Sequence, residues 1–417
     1  MTALLRTWGS ALARAWPAVL AWYLGGALVR EAILALAAPL GPDVPLAAFL
    51  LLPIAVLARL VSYIGMFLAV RRAMPAFAAI AGSGVAAPRG RAAVGEFVGI
   101  LLASIIPFFV LYGLLGLLQE DFASYANRAF AYSFGGGDFL RPGDGPLVLL
   151  VIVLAFAGRL VLKRFGPRLP RGAALVEIYL EAVWVFVAVS GIAAIFGSVI
   201  GWVQDRRIVR AGLDLRQGLR DLWDPIRVAV DGIDGLVPVL LHLLALPAAW
   251  LLVAGIVYTR ELAAVAEERI VSARLEARLR SGAGRLPAAV LRQSHLVTDE
   301  WDDVYKPLSV AGRLILRSGP GVLAAYVSFY ALLAGLVQWL LWGLTRAIGA
   351  HGPEWWSVAF PVVALAVAAL AETARLTLLA AAFDRALDAW RRRRGVSSTV
   401  PAEAPAAASA SARPPAR

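Results

Sequence analysis

Long runs of hydrophobic residues alternate with short polar segments along the whole chain. Each run is close to the roughly 20 residues that an α-helix needs to cross a membrane. The runs predict eight transmembrane helices, at 16–40, 47–70, 95–118, 146–163, 173–203, 235–258, 320–345 and 356–383. The fourth run is short and the fifth is long. We therefore expect an all-α integral membrane protein, a polytopic helical bundle of about eight transmembrane helices.

The composition agrees with a membrane protein and argues against a soluble one. Hydrophobic residues make up 60% of the chain and charged residues 16%, and the mean hydropathy is +0.74. The net charge of +12 could suggest a nucleic-acid partner. However, the basic residues lie at the ends of the apolar runs and in the tail, which is where membrane topology places them. We expect the lipid bilayer, and no nucleic acid, as the partner of this surface.

Few residues suited to metal or covalent chemistry are present. The chain has no cysteine and three histidines, which excludes disulfides and thiolate sites and leaves no paired-histidine spacing. The nucleophile-elbow and phosphate-loop motifs are also missing from the sequence. We therefore expect no cofactor and no metal, and we favour a protein that is not an enzyme. The abundance of alanine, arginine and glycine indicates a bacterial source.

The distribution of arginine predicts the orientation. Basic residues precede the first run, follow the second, separate the fourth from the fifth, fill 259–318 and follow the last run. The positive-inside rule then places both termini in the cytoplasm and the bundle in the plasma (inner) membrane. Arg30 and Glu31 interrupt the apolar core that a signal peptide would need, so we interpret the first run as an uncleaved helix.

The segment 204–234 is an exception to the positive-inside rule, because its six arginines fall on the predicted outer side. Its leucines recur every three or four residues, which predicts an amphipathic helix in the outer interface or packed on the bundle.

The apolar runs divide the chain into four regions. The first, 1–258, contains six transmembrane helices, the outer loop 119–145 and the amphipathic outer segment 204–234. The second is the charged helical cytoplasmic segment 259–318. The third, 319–390, contains two transmembrane helices, and the fourth is the basic, disordered tail 391–417.

Similar residues recur at a constant offset in the first and seventh runs. The matches suggest a repeated hairpin of two helices, although chance could produce them in so alanine- and leucine-rich a chain. The matched positions are Gly9, Arg14, Pro17, Leu20 and Tyr23 against Gly312, Arg317, Pro320, Leu323 and Tyr326.

Several charges fall deep inside the predicted helices, where a charge is costly without a partner or water. Arg59 lies near the middle of the second run, and Arg30 and Glu31 lie at a similar depth in the first. Because the connecting loop is short, we expect Glu31 to pair with Arg59. Glu372 and Arg375, three residues apart in the last run, can pair within their own helix.

A second set of charges lies on the predicted inner side. Arg159 in the fourth run has a depth similar to that of Glu177 and Glu181 in the fifth. We interpret these residues as inner-side ion pairs that hold neighbouring helices in register.

Two hypotheses for the function follow. The first is a transporter-like or lipid-handling bundle, in which Glu31, Arg59, Glu372 and Arg375, with Arg30 beside them, line a polar pocket for a small-molecule or lipid substrate. The alternative is a non-catalytic membrane scaffold or assembly factor that recruits a protein partner through the cytoplasmic segment 259–318.

Overall fold

The computed structural model describes most of the predicted helices. The described residues are 2–81, 90–133, 146–165, 173–204, 206–222, 246–255 and 320–393, with single positions elsewhere between 224 and 258. The predicted cytoplasmic segment 259–318 and the tail from 394 lie outside the described residues.

The described residues form helices and short turns, with no strand among them. This confirms the all-α fold class. The helices are α1 (Thr2–Asp43), α2 (Pro45–Val70), α3 (Pro75–Ala81), α4 (Arg91–Leu114), α5 (Leu117–Ser133), α6 (Pro146–Phe165), α7 (Ala173–Gln204), α8 (Arg207–Leu222), α9 (Leu246–Gly255), α10 (Pro320–Ile348) and α11 (Pro353–Arg393), with a single 3-10 turn at Arg71–Ala73 between α2 and α3.

Several of these helices are long and apolar enough to cross a membrane. Over the described residues they number five, α1, α2, α7, α10 and α11, and six if α4 and α5 count as one bent span. The predicted spans 146–163 and 235–258 correspond to shorter apolar helices, at Leu150–Leu162 and in α9. The described residues thus support five or six of the eight predicted spans.

Close packing of α1 against α2 forms the centre of the bundle. The hydroxyl of Ser62 donates to the carbonyl of Trp22 at 2.8 Å. A Cβ atom at Gly26 would lie 2.7 Å from the Ser62 hydroxyl oxygen and 3.2 Å from the carbonyl oxygen of Ala58, so only glycine fits this approach. Helix α11 packs on α1, where the Trp8 indole donates to the carbonyl of Ala374 at 3.1 Å.

Aromatic residues join the C-terminal end of α2 to α11. The Tyr258 ring packs against Phe67 and Phe383, with centroids 5.6 Å and 5.1 Å away. Beside them, the Asp384 carboxylate accepts a hydrogen bond of 2.9 Å from the backbone N–H of Phe77 in α3. These contacts fix α2, α3 and α11 relative to one another at this end of the bundle.

The predicted third span is broken near its end. Gly116 has a φ of +77°, a conformation that favours glycine, and α5 leaves α4 at an angle of 73°. Helix α5 covers 119–133 of the predicted outer loop 119–145 and packs on α1, with Leu118, Tyr125 and Ala129 buried. By contrast, α2 and α11 continue without a break through Pro53 and Pro361.

Two further predictions concern the surface and the repeat. Helix α8 forms within the predicted amphipathic segment 204–234 and, among the described helices, makes its main contact with the preceding helix α7. Leu215 on its apolar side is 66% exposed. Helices α1–α2 and α10–α11 are each hairpins of consecutive helices, and the duplication itself stays a prediction.

Candidate functional site

Asp121 in α5 is the centre of a buried group of charges. Its Oδ1 accepts a hydrogen bond of 2.9 Å from Arg30 Nε and a second from Arg30 Nη2. Its Oδ2 accepts one from the Tyr112 hydroxyl of α4. Arg59 Nη1 lies 3.7 Å from Oδ1, and the Asp121 side chain is only 4% exposed. One carboxylate therefore joins side chains from four helices.

Arg59 does not pair with Glu31, which corrects the sequence-based expectation. Its Nη1 donates a 2.5 Å hydrogen bond to the Tyr112 hydroxyl, and its guanidinium carbon lies 5.5 Å from the centre of the Tyr112 ring. Glu31 instead accepts from Arg30 at 2.5 Å and from Arg128 of α5. Neighbouring residues on a helix project about 100° apart, so Arg30 faces Asp121 while Glu31 turns toward Arg128.

These six residues form what we call the Asp121 cluster: Arg30, Glu31, Arg59, Tyr112, Asp121 and Arg128. The cluster has three arginines and two carboxylates, so one positive charge is in excess. Arg30 is matched by both Asp121 and Glu31, and Arg128 by Glu31. Arg59 has the more distant share of Asp121 and a weaker electrostatic interaction with the exposed Glu120, and its side chain is 24% exposed. The excess charge is therefore assigned most directly to Arg59.

A second group surrounds Arg375 in α11 and is called the Arg375 cluster. Its Nη2 donates to Glu372 at 2.5 Å, the pairing expected from their spacing, and to the Tyr63 hydroxyl at 3.3 Å. Nη1 lies 3.4 Å from the Tyr330 hydroxyl, and the guanidinium carbon lies 4.7 Å from the centre of a Trp250 ring. Arg375, the cation of this cluster, has a carboxylate of its own in Glu372, so this cluster is neutral.

A row of aromatic rings connects the two clusters. Phe108 stacks on Tyr112 with centroids 5.3 Å apart and lies 6.1 Å from Tyr63, which in turn lies 4.6 Å from Trp250. Tyr23 of α1 interacts electrostatically with charged residues of both clusters. The predicted site residues of α1, α2 and α11 are therefore brought into one region, as two clusters joined by aromatic side chains.

An apolar groove lies beside this row. The groove is shallow and open on one side, and its surface is almost entirely apolar. The predicted polar pocket differs from this groove, because the charged residues of the two clusters do not line it. The groove-lining residues are Phe108, Leu111, Tyr112, Leu115, Leu117, Ala249, Trp250 and Val253.

A separate ion pair joins α6 to α7. Arg159 pairs with Glu181, both side chains being about 95% buried, and its guanidinium carbon lies within 6 Å of the Phe156 and Trp184 ring centres (5.8 Å and 5.6 Å). Glu177, the other predicted partner, is partly exposed and forms no ion pair with the described residues. The Arg159–Glu181 pair therefore links two consecutive helices, as expected of a register-holding contact.

Sequence reasoning missed several residues of the site: Tyr63, Tyr112, Asp121, Arg128 and Trp250. Asp121 and Arg128 had a usable signal, because Leu118, Asp121, Tyr125 and Ala129 follow each other at helical spacing. That spacing predicts a helix with one buried face, and a charge on that face requires a partner. The aromatic residues had no comparable signal in a chain with 40 of them.

The fold and the clusters define a general class. The chain is an all-α protein with several helices long and apolar enough to cross a membrane and with ion pairs buried between them. Comparisons with family models, curated proteins and solved structures found no match. Among the described residues, no group of acidic, histidine or cysteine side chains could hold a metal ion.

Proposed function

We propose that the chain is a multi-pass membrane protein that transports or handles a small molecule or lipid at the Asp121 and Arg375 clusters. The observation that carries this proposal is the position of Arg59 at the meeting point of α1, α2, α4 and α5. Arg59 is fourteen residues from the start of α2 at Pro45, or about 21 Å along the helix, in a hydrocarbon layer about 30 Å thick.

The cost of such a position supports a functional role. A charge at the centre of a membrane helix costs about 3 kcal/mol on insertion scales, and such residues commonly mark substrate or ion pathways. Ion pairing alone would favour equal numbers of opposite charges, whereas the Asp121 cluster retains one excess positive charge. An excess cation is the arrangement expected of a site that receives an anion.

The broken helix beside the clusters gives further support. Interrupted backbone inside a membrane is tolerated where it is buried in protein or lines a cavity, and transporters place binding sites at such breaks. Here the break at Gly116 lies between Tyr112 and Asp121, two residues of the Asp121 cluster.

Membrane orientation belongs to the same proposal. The arginine distribution supports cytoplasmic termini and the plasma (inner) membrane of a bacterium. In that orientation the connection 349–352 between α10 and α11 faces the outside. A label that reaches this connection only from the cytoplasmic side would contradict the orientation.

Cysteine labelling tests whether water reaches the clusters. The chain contains no cysteine, so single substitutions can be labelled without further changes. Tyr23→Cys replaces a half-buried residue that interacts electrostatically with both clusters. Leu28→Cys, at a site 71% exposed on α1, lies on the predicted lipid-facing surface. A charged, membrane-impermeant thiol reagent needs an ionised thiol, which lipid disfavours.

We expect Tyr23→Cys to react in sealed membranes, Leu28→Cys to stay unreactive, and His351→Cys in the 349–352 connection to serve as the positive control. If Tyr23→Cys stays unreactive from both sides while His351→Cys is labelled, the clusters are sealed from water and the transport proposal is wrong.

The scaffold hypothesis stays the alternative. It is supported by the charged composition of 259–318, where Asp299, Glu300, Asp302 and Asp303 form an acidic patch suited to a protein partner. Deletion of 262–303 tests it. A deletion variant that keeps the bundle folded but no longer restores the phenotype of cells lacking the protein supports a scaffold. A variant that still restores that phenotype excludes it.

A further inference from the structure

The half of the α10–α11 hairpin nearest its connection lies apart from the other described helices. Every residue from 331 to 366 is described, and none of them is buried. We call this stretch the α10–α11 arm. Among the described helices, α10 contacts mainly α11. The surface of α10 that turns away from α11 therefore needs lipid or another protein surface as its neighbour.

A single amide interrupts the apolar surface of α10 within this arm. Gln338 is exposed and lies ten residues, or about 15 Å, before the end of α10 at Ile348. The adjacent side chains Trp339 and Leu340 are 70% and 43% exposed. This position falls inside the hydrocarbon layer of the membrane, where an unpaired polar group costs several kcal/mol.

Other uncharged polar side chains of the arm bond to their own helices. The Thr345 hydroxyl donates to the carbonyl of Trp342 at 2.9 Å, and the Ser357 hydroxyl donates to the carbonyl of Glu354 at 2.6 Å. None of the described residues forms a hydrogen bond with the Gln338 amide. Its donors and its acceptor are thus available to a second molecule.

We propose that α10 is the interface of a membrane-embedded homodimer, in which the Gln338 side chains of two copies hydrogen-bond to each other. The inference goes beyond the proposed function and does not depend on it.

The chemistry of the amide favours a second copy of the chain as the partner. A carboxamide has two N–H donors and a carbonyl acceptor, so two facing carboxamides can each donate to and accept from the other. In a dimer with two-fold symmetry, a residue close to the axis faces the same residue of the second copy. A lipid acyl chain provides neither a donor nor an acceptor. Glutamine side chains are among those that join membrane helices by hydrogen bonds.

The backbone beside Gln338 can be approached closely. Gly335 precedes Gln338 by three residues and therefore lies on the same face of α10. Nothing lies within 4 Å of a Cβ atom at Gly335, so the space beside it is open. Small residues at such positions bring membrane helices close enough for side chains to bond across them. Leu336, only two residues before Gln338, does not share this face.

Energy transfer between labelled copies in vesicles tests the inference on the full-length protein. The chain has no cysteine, so His351→Cys provides one labelling site at the tip of the arm. Donor-labelled and acceptor-labelled copies are mixed in phosphatidylcholine vesicles at decreasing protein-to-lipid ratios. We expect energy transfer that persists at dilutions where random encounters give none.

Three variants locate the interface in the same assay. Gln338→Leu should raise the protein density needed for half-association about tenfold, the change expected for a lost pair of interhelical hydrogen bonds. Gln338→Asn keeps an amide and should retain more association than Gln338→Leu. Leu336→Ala is the matched control, because it shortens a side chain that is 57% exposed on another face of α10 and should leave the association unchanged.

Cross-linking tests whether the two α10 helices face each other. Oxidation with copper phenanthroline should join two copies of Gly335→Cys into a covalent dimer in native membranes. Leu336→Cys should give much less dimer, because its thiol points away from the proposed interface.

Three results would overturn the inference. Energy transfer no greater than that of random encounters would show that lipid covers this face. Equal losses of association in Gln338→Leu and Leu336→Ala, or equal cross-linking of Gly335→Cys and Leu336→Cys, would place any dimer contact elsewhere. A lower thermal unfolding midpoint for Gln338→Leu under conditions where the protein is monomeric would show that the amide bonds within its own chain.

Discussion

At the residue scale, Asp121 determines how the buried charges are arranged. A single carboxylate accepts hydrogen bonds from Arg30 and Tyr112 and lies 3.7 Å from Arg59. A buried charge is stable only with partners, and the partners here come from different helices. Asp121 therefore acts as an assembly contact as well as a counter-ion: α1, α2, α4 and α5 can bury their polar side chains only when all four are in place.

We predict that Asp121→Asn destabilises the folded protein by about 3–5 kcal/mol, because it leaves Arg30 and Arg59 without their shared negative charge. Glu120→Gln is the matched control, since it removes the neighbouring acid from the exposed face of α5 and should change the stability by less than about 0.5 kcal/mol. Thermal unfolding in detergent measures both. Similar midpoints for the two variants would show that Asp121 is not an assembly contact.

At the element scale, glycine determines how closely α1 approaches α2. Gly25 and Gly26 are adjacent in α1, but only Gly26 faces α2, where the Ser62 side chain and the carbonyl of Ala58 fill the space of a Cβ atom. Nothing lies within 4 Å of a Cβ at Gly25. This close approach brings Arg30 of α1 and Arg59 of α2 to the Asp121 side chain of α5.

Gly26→Ala should therefore push α1 away from α2 and destabilise the protein by about 1–3 kcal/mol, the usual range for overpacking. Gly25→Ala is the matched control and should be neutral or stabilising, because alanine favours helix more than glycine does. Thermal unfolding of both variants measures the difference. A Gly26→Ala variant as stable as Gly25→Ala would contradict the packing described for this helix pair.

The same scale shows which parts of the site were predictable. Length and hydropathy predict the long helices, and a spacing of three residues predicts the Glu372–Arg375 pair. Depth along a helix placed Arg59 and Glu31 at one level, but depth does not give the rotation about the helix axis. That rotation directs Arg30 to Asp121 and Glu31 to Arg128. Asp121 was assigned to a loop because polar residues at 119–121 end the apolar run, although these residues lie inside α5, which begins at Leu117.

At the scale of the whole molecule, many large apolar side chains are exposed and several charged ones are buried. Leu28, Trp339 and Val358 are about 70% exposed (71%, 70% and 71%), whereas Asp121 and Arg159 are 3% and 4% exposed. In water such a surface would drive aggregation, since large exposed apolar areas are rarely tolerated by soluble monomers. The arrangement is the one expected of a bundle whose outer surface contacts lipid and whose interior contains its polar groups.

The proposed function requires that this polar interior contains one cation not needed for assembly. Arg30 is held by two carboxylates, and its side chain is 12% exposed. Arg59 has one hydrogen bond to Tyr112, is 24% exposed and represents the excess positive charge. Residues reserved for ligands commonly contribute little to stability or reduce it. The two arginines should therefore respond differently to the same substitution.

The most direct test is the unfolding midpoint of Arg30→Gln and Arg59→Gln, measured side by side in the same detergent without added lipid. We predict that Arg30→Gln loses about 3 kcal/mol or more, because it leaves Asp121 and Glu31 poorly matched. Arg59→Gln should unfold close to the unmodified protein or above it, because it removes the excess positive charge. If Arg59→Gln is destabilised as much as Arg30→Gln, Arg59 is an assembly contact and no cation is left for a ligand.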